Sequence, residues 1–129
     1  MSDYAYLDAA VHVVVPGGVI QGNSAEARRR ITALLEGMPR VGGSEYALGM
    51  AVKVSHDKEH GWHIGMAPCG IMRDRRRDDA VRQWQELLAF LRKTFGSEPV
   101  EDYVCITENM NVWFKHQEKR AKRRKGNER

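Results

Sequence analysis

The spacing of apolar residues along the chain switches between about two and about three and a half, and each switch predicts an element. Residues 9–15, AAVHVVV, are rich in β-branched side chains and stop at Pro16-Gly17-Gly18, which predicts a first strand followed by a loop. Asn23 with Glu26 reads as a capping box. Apolar residues at Ala27, Ile31, Leu34, Leu35 and Met38 then predict a helix near 24–36, stopped by Gly37 and Pro39. From Tyr46 the period is two. Tyr46, Leu48, Met50, Val52 and Val54 share one side, and Trp62, Ile64 and Met66 resume it after a polar interval, which predicts a hairpin. Val81, Trp84, Leu88, Leu91 and Phe95 make one helical stripe over about 75–95, closed by Gly96 and Pro99. A strand near 101–107 and a turn at Glu108–Asn111 follow. Val112–Lys115 reads either as an extra edge strand or as the start of a helix, since nothing from Lys115 to Lys125 interrupts one.

The order β-α-β-β-α-β predicts the α+β class and, within it, a ferredoxin-like sandwich with both helices on one face of an antiparallel sheet. An extra edge strand and a basic C-terminal tail would be additions to it. The expected organisation is a single domain over 1–114 and a tail, flexible or helical, over 115–129. If Val11, Val13 and Val15 face the helices, alternation sends Ala10, His12 and Val14 to the other face. Ala47, Gly49, Ala51 and Lys53 join them, with His63, Gly65, Ala67, Tyr103 and Cys105. Glycine and alanine leave that face small-sided and open to close approach. His12, Lys53, His63, Tyr103 and Cys105 are its candidate contact residues, for a protein partner or a second copy of the chain.

A chain of 129 residues, 42% of them hydrophobic, is long enough for one core without disulfides or a structural metal. Cys69 and Cys105 lie far apart and no stretch has the shape of a signal peptide, which suggests reduced thiols in a cytoplasmic protein. No apolar run reaches the roughly 18 residues of a membrane span, so no membrane association is expected.

Charge changes the picture more than composition does. Residues 115–129 hold eight Lys and Arg against two Glu, a net of +6, which leaves −2 for residues 1–114 out of the chain's +4. Such asymmetry points to a polyanion, because basic side chains gain by releasing counterions from phosphates. Lys115, Lys119, Arg120, Lys122, Arg123, Arg124 and Lys125 are the candidates. Two arginine runs, 28–30 and 75–77, each open a helix; if both helices follow parallel central strands, the two runs come to one end of the sheet and form a single basic edge. Arg28, Arg29, Arg75 and Arg76 therefore join the set, although Asp74, Asp78 and Asp79 offset the second run.

Reaction chemistry is harder to find. His56-Asp57-Lys58-Glu59-His60 spells H-x-x-E-H, a zinc-peptidase order that works only where a helix aims both imidazoles at one metal. Here it lies between period-two strands and reads as a turn. Gly17 to Ser24 has the outline of a phosphate loop, but Asn23 stands where the lysine belongs. Trp62, the one aromatic placed to stack a base, shares its side with Ile64 and Met66 and so belongs to the core. His12 and His63 on adjacent strands suit acid–base or metal chemistry, yet no third ligand is set by spacing. The expectation is a non-enzymatic binding protein with no catalytic residues, metal or cofactor, touching RNA or DNA through its tail without reading sequence. A protein–protein module, inhibitor or adaptor using the open sheet face is the alternative.

Overall fold

The computed structural model describes residues 4–39, 41, 50–73 and 75–127. The elements run β1 (Tyr4–Val15), α1 (Ala25–Leu35), β2 (Met50–Asp57), β3 (Gly61–Arg73), α2 (Arg77–Phe95), β4 (Val100–Thr107) and α3 (Met110–Asn127). Among the described residues they form an α+β fold: an open four-stranded sheet in the order β2-β3-β1-β4, antiparallel at every pairing, with three helices.

β1 begins well before its apolar run. Ala5, Leu7, Ala9, Val11, Val13 and Val15 bury one face, while Tyr6 and Asp8 are buried on the other, so the first half of the strand is covered on both sides. α2 lies on the first face with Ala80, Trp84, Leu87, Leu88, Leu91 and Phe95 buried, and the Trp84 indole donates to the Glu101 carboxylate. Gly96 ends α2 in the left-handed region (φ 74°), its N–H donating to Arg92 O at 2.8 Å. α1 buries only Ala27 and Ile31. Its cap is Ser24, one residue later than the capping box predicts; Ser24 Oγ accepts from Ala27 N at 3.2 Å. Trp62 is a core residue, as alternation requires, and its Nε1 donates to Gly22 O at 2.7 Å, tying the loop before α1 to β3.

The β2–β3 connection is a tight hairpin. Asp57 Oδ1 accepts from Glu59 N at 2.8 Å, and Gly61 takes the positive φ of 80° that lets the chain re-enter the sheet. The Glu59 N–H, and after it the His60 ring, hold the Asp57 carboxyl below the usual carboxylate range. H-x-x-E-H therefore lies across a turn. His56 stands edge-on to Trp62 across the strands, ring centroids 5.1 Å apart, while His60 turns to Asp57.

Two expectations are corrected. Residues 112–115 form no edge strand; they lie inside α3, because Asn109 Oδ1 accepts from Asn111 N at 2.9 Å and Val112 N at 3.2 Å and so starts a helix. The arginine runs form no common edge either. Central strands β1 and β3 are antiparallel, with Val15 facing Trp62 at one end and Tyr4 facing Arg73 at the other, so α1 and α2 begin at opposite ends of the sheet. Tyr46, Ala47, Leu48 and Gly49 of the expected hairpin, and Asp74, lie outside the described residues. No helix among the described residues is long and apolar enough to cross a membrane.

Candidate functional site

The second face of the sheet is not fully open, because α3 lies on it. Residues 115–127 of the expected tail lie within α3. The helix has two sides. Trp113, His116, Gln117 and Arg120, at helical spacing, are part-buried towards the sheet, whereas Lys115, Lys119, Lys122 and Arg123 are exposed.

What holds α3 down is a buried acid. Asp8 is fully buried, in mid-β1, flanked across the sheet by Cys69 on β3 and Cys105 on β4. Arg120 Nη1 donates to its Oδ1 at 2.8 Å and Gln117 Nε2 to its Oδ2 at 2.8 Å, while the Tyr103 hydroxyl reaches Oδ1 at 3.4 Å. His116 Nε2 lies 3.2 Å from Oδ2, a close ionic approach without hydrogen-bond alignment. Arg120 and His116 also crowd the Tyr103 ring, at 5.9 and 5.8 Å from its centroid. Trp113 adds apolar contact against Tyr6, 5.6 Å between centroids. A buried carboxylate without such partners would be strongly unfavourable, so the polar stripe of α3 and Asp8 require each other.

This latch sets the state of its neighbours. Burial, then the Asp8 charge, push the Tyr103 phenol above its ordinary range, so it serves as a donor. The same two causes raise the Cys105 thiol and keep it protonated. Cys69 approaches Gln117 Oε1 at 4.0 Å, and both cysteines are free.

With its inner side engaged, α3 presents a row of cations outward. Lys115, Lys119 and Lys122 stand at i, i+4 and i+7, with Arg123 on the flank, and none of the four takes part in a salt bridge among the described residues. The side chains of Arg124 and Lys125 lie outside the described part. Arg120, expected on the nucleic-acid surface, instead faces Asp8.

The other candidates are dispersed. Arg28 is committed internally, donating to Val54 O at 2.8 Å and lying 5.4 Å above the Trp62 ring centre. Arg29 is exposed beside it on α1. Arg75 and Arg76 precede α2 at the far end, where Arg77 donates to Glu108 and to Ile106 O. His12 and His63 do share the second face, but they turn apart: His12 Nδ1 pairs with Asp102 at 2.9 Å, and His63 packs edge-on to His60. Lys53 is exposed on the edge strand. Tyr103 and Cys105 are partly buried beside α3 rather than open to a partner.

Asp8, His116 and Gln117 carry no local motif that marks them as site residues. The signal for Asp8 was present: one acid inside an apolar strand, which is unfavourable unless something covers and neutralises it. Comparison with known proteins found no matching family model, no matching curated protein and no matching solved structure, so the function is argued from the site alone.

Proposed function

We propose that this chain is a small binding protein, not an enzyme, that lays the outer face of α3 along a nucleic-acid backbone without reading sequence. The observation that carries this reading is the row Lys115, Lys119, Lys122 and Arg123, without a salt bridge among the described residues, on a helix whose inner side is engaged with Asp8. Like charges at i, i+4 weaken a helix by about 0.2–0.5 kcal/mol per pair. A row kept despite that cost, and held in place beforehand, suits a ligand with evenly spaced phosphates, which gains from counterion release and loses little entropy on docking. Lysine suits this role as a point charge on a flexible stem that contacts phosphate but selects no base.

The direct test is fluorescence-anisotropy binding of a labelled random-sequence oligonucleotide. Intact protein is expected to bind at low salt, and the Lys115→Gln, Lys119→Gln, Lys122→Gln triple variant to lose most of that affinity while remaining folded. Unchanged binding by the folded triple variant would remove α3 from the interface.

A protein partner, including a second copy, is the second reading. It is favoured by the free edge of β4, where a groove of about 600 Å³ runs past Val104, Ile106, Val112 and His116 and Val100 and Val104 stay 50% and 40% exposed. We also read the fold as ferredoxin-like with a third helix added to the free face. The β-α-β-β-α-β order of the elements before α3 and the strand order β2-β3-β1-β4 support this. Free thiols at Cys69 and Cys105 fit a reducing, cytoplasmic setting.

A further inference from the structure

The β2–β3 hairpin gathers metal-ligating side chains that neither the core nor the α3 latch uses. Asp57 ends β2, His60 is the last turn residue before Gly61, and His63 follows on β3. Because Asp57 pairs with Gly61 and His63 with Ser55, alternation puts Asp57 and His63 on one face of the hairpin, and the turn lifts His60 over them. Each of the three offers a ligand atom within 4.8 Å of the other two. Asp57 Oδ2 is 3.1 Å from His60 Nδ1, and the His60 and His63 rings meet edge to face with centroids 5.9 Å apart.

A second observation is independent of that cluster. His63 Nε2 is buried and has no hydrogen-bond partner among the described residues. A buried ring nitrogen is normally satisfied by protein or water, so this one has an unused bonding capacity on a residue already beside two other ligands.

We propose that Asp57, His60 and His63 form a site for one divalent transition-metal ion of the zinc and nickel class. Two imidazoles and one carboxylate favour such ions over calcium or magnesium, which take oxygen-rich sets. Metal–ligand bonds of about 2.0–2.2 Å require the three groups to draw closer together. The surroundings permit it: Asp57 at the end of β2 and His60 in the turn are exposed, with 47% and 61% of their side-chain surface accessible, while His63 on the strand is the fixed point. Three protein ligands leave coordination positions for water, so the ion would be held less tightly than in a closed four-ligand site. The site is not that of the H-x-x-E-H pattern, since His56 packs against Trp62 and takes no part.

The test is isothermal titration of the full chain with zinc chloride alone, at neutral pH, with nickel as a second probe. Intact protein is expected to bind one ion per chain. His60→Ala should weaken binding at least about tenfold, since even groups that merely orient a metal's ligands are worth that much. His63→Gln should do the same, and His56→Ala should leave binding unchanged. His60 is an exposed turn residue, so its variant keeps the fold, and circular dichroism checks His63→Gln. No heat of binding at 100-fold excess zinc overturns the proposal. So does binding that survives in the folded His60→Ala protein, or that disappears in His56→Ala.

Discussion

Arg120→Met isolates the contact on which α3 depends. Methionine keeps most of the buried stem but removes the guanidinium, leaving the Asp8 carboxylate, 0% exposed, with Gln117, Tyr103 and the His116 ring. Breaking one side of a buried ion pair typically costs 3–5 kcal/mol, and the low end, about 3 kcal/mol, applies because Arg120 is itself partly solvated and Gln117 remains. The cost has a ceiling. α3 can leave the sheet and let water reach Asp8, so Arg120→Met cannot destabilise more than removal of the helix beyond its first turn by truncation after Phe114. Asp8→Asn in the Arg120→Met background removes the stranded charge and should restore part of the loss. Urea denaturation followed by tryptophan fluorescence measures all of these. A loss below about 0.5 kcal/mol for Arg120→Met, the size of an ordinary surface change, would refute the latch.

Other outcomes follow from the same structure. Leu88→Ala, on the buried face of α2 and 5% exposed, is expected to cost about 2–5 kcal/mol in the same denaturation assay through the cavity it leaves. The Cys105 thiol, pushed up by burial and by Asp8, holds less thiolate at neutral pH than a free cysteine and should react with iodoacetamide more slowly in native protein than in urea. Mass spectrometry of the labelled peptide reads the ratio, and an equal rate in both states would contradict that environment. Truncation after Phe114 should leave a folded sheet with α1 and α2, seen as a retained cooperative transition, while raising the protection-free fraction of amides in β1 around Asp8 in hydrogen exchange.

Much of the fold was legible because burial on the helix-covered face follows simple periods. Val11, Val13, Val15, Trp62, Ile64, Met66, Trp84 and Leu88 fall where alternation or a helical stripe puts them. The second face was read only in part. Alternation placed His12, His63, Tyr103 and Cys105 there, but α3 covers that face through Trp113, His116, Gln117 and Arg120, a stripe too polar to register as amphipathic. Its cohesion comes from one buried carboxylate more than a hundred positions away in the chain, and no local pattern encodes such a partner. The arginine runs were misplaced for a different reason. A common edge needs the two strands that precede α1 and α2 to run parallel, whereas β1 and β3 are antiparallel neighbours, so the two helices start at opposite ends. The ligand set Asp57, His60 and His63 was hidden behind the better-known spacing of His56 and His60, which only the turn geometry separates.

The most direct test of α3 as a phosphate-binding surface is the salt dependence of its binding to an oligonucleotide. If Lys115, Lys119, Lys122 and Arg123 each neutralise one phosphate, log affinity against log salt should fall with a slope near −3.6 for duplex DNA and about −2.8 for a single strand. The Lys115→Gln, Lys119→Gln, Lys122→Gln protein should flatten that slope to about −0.9 on duplex. An intact protein that binds no oligonucleotide even at low salt, or whose slope is the same in the triple variant, would contradict it.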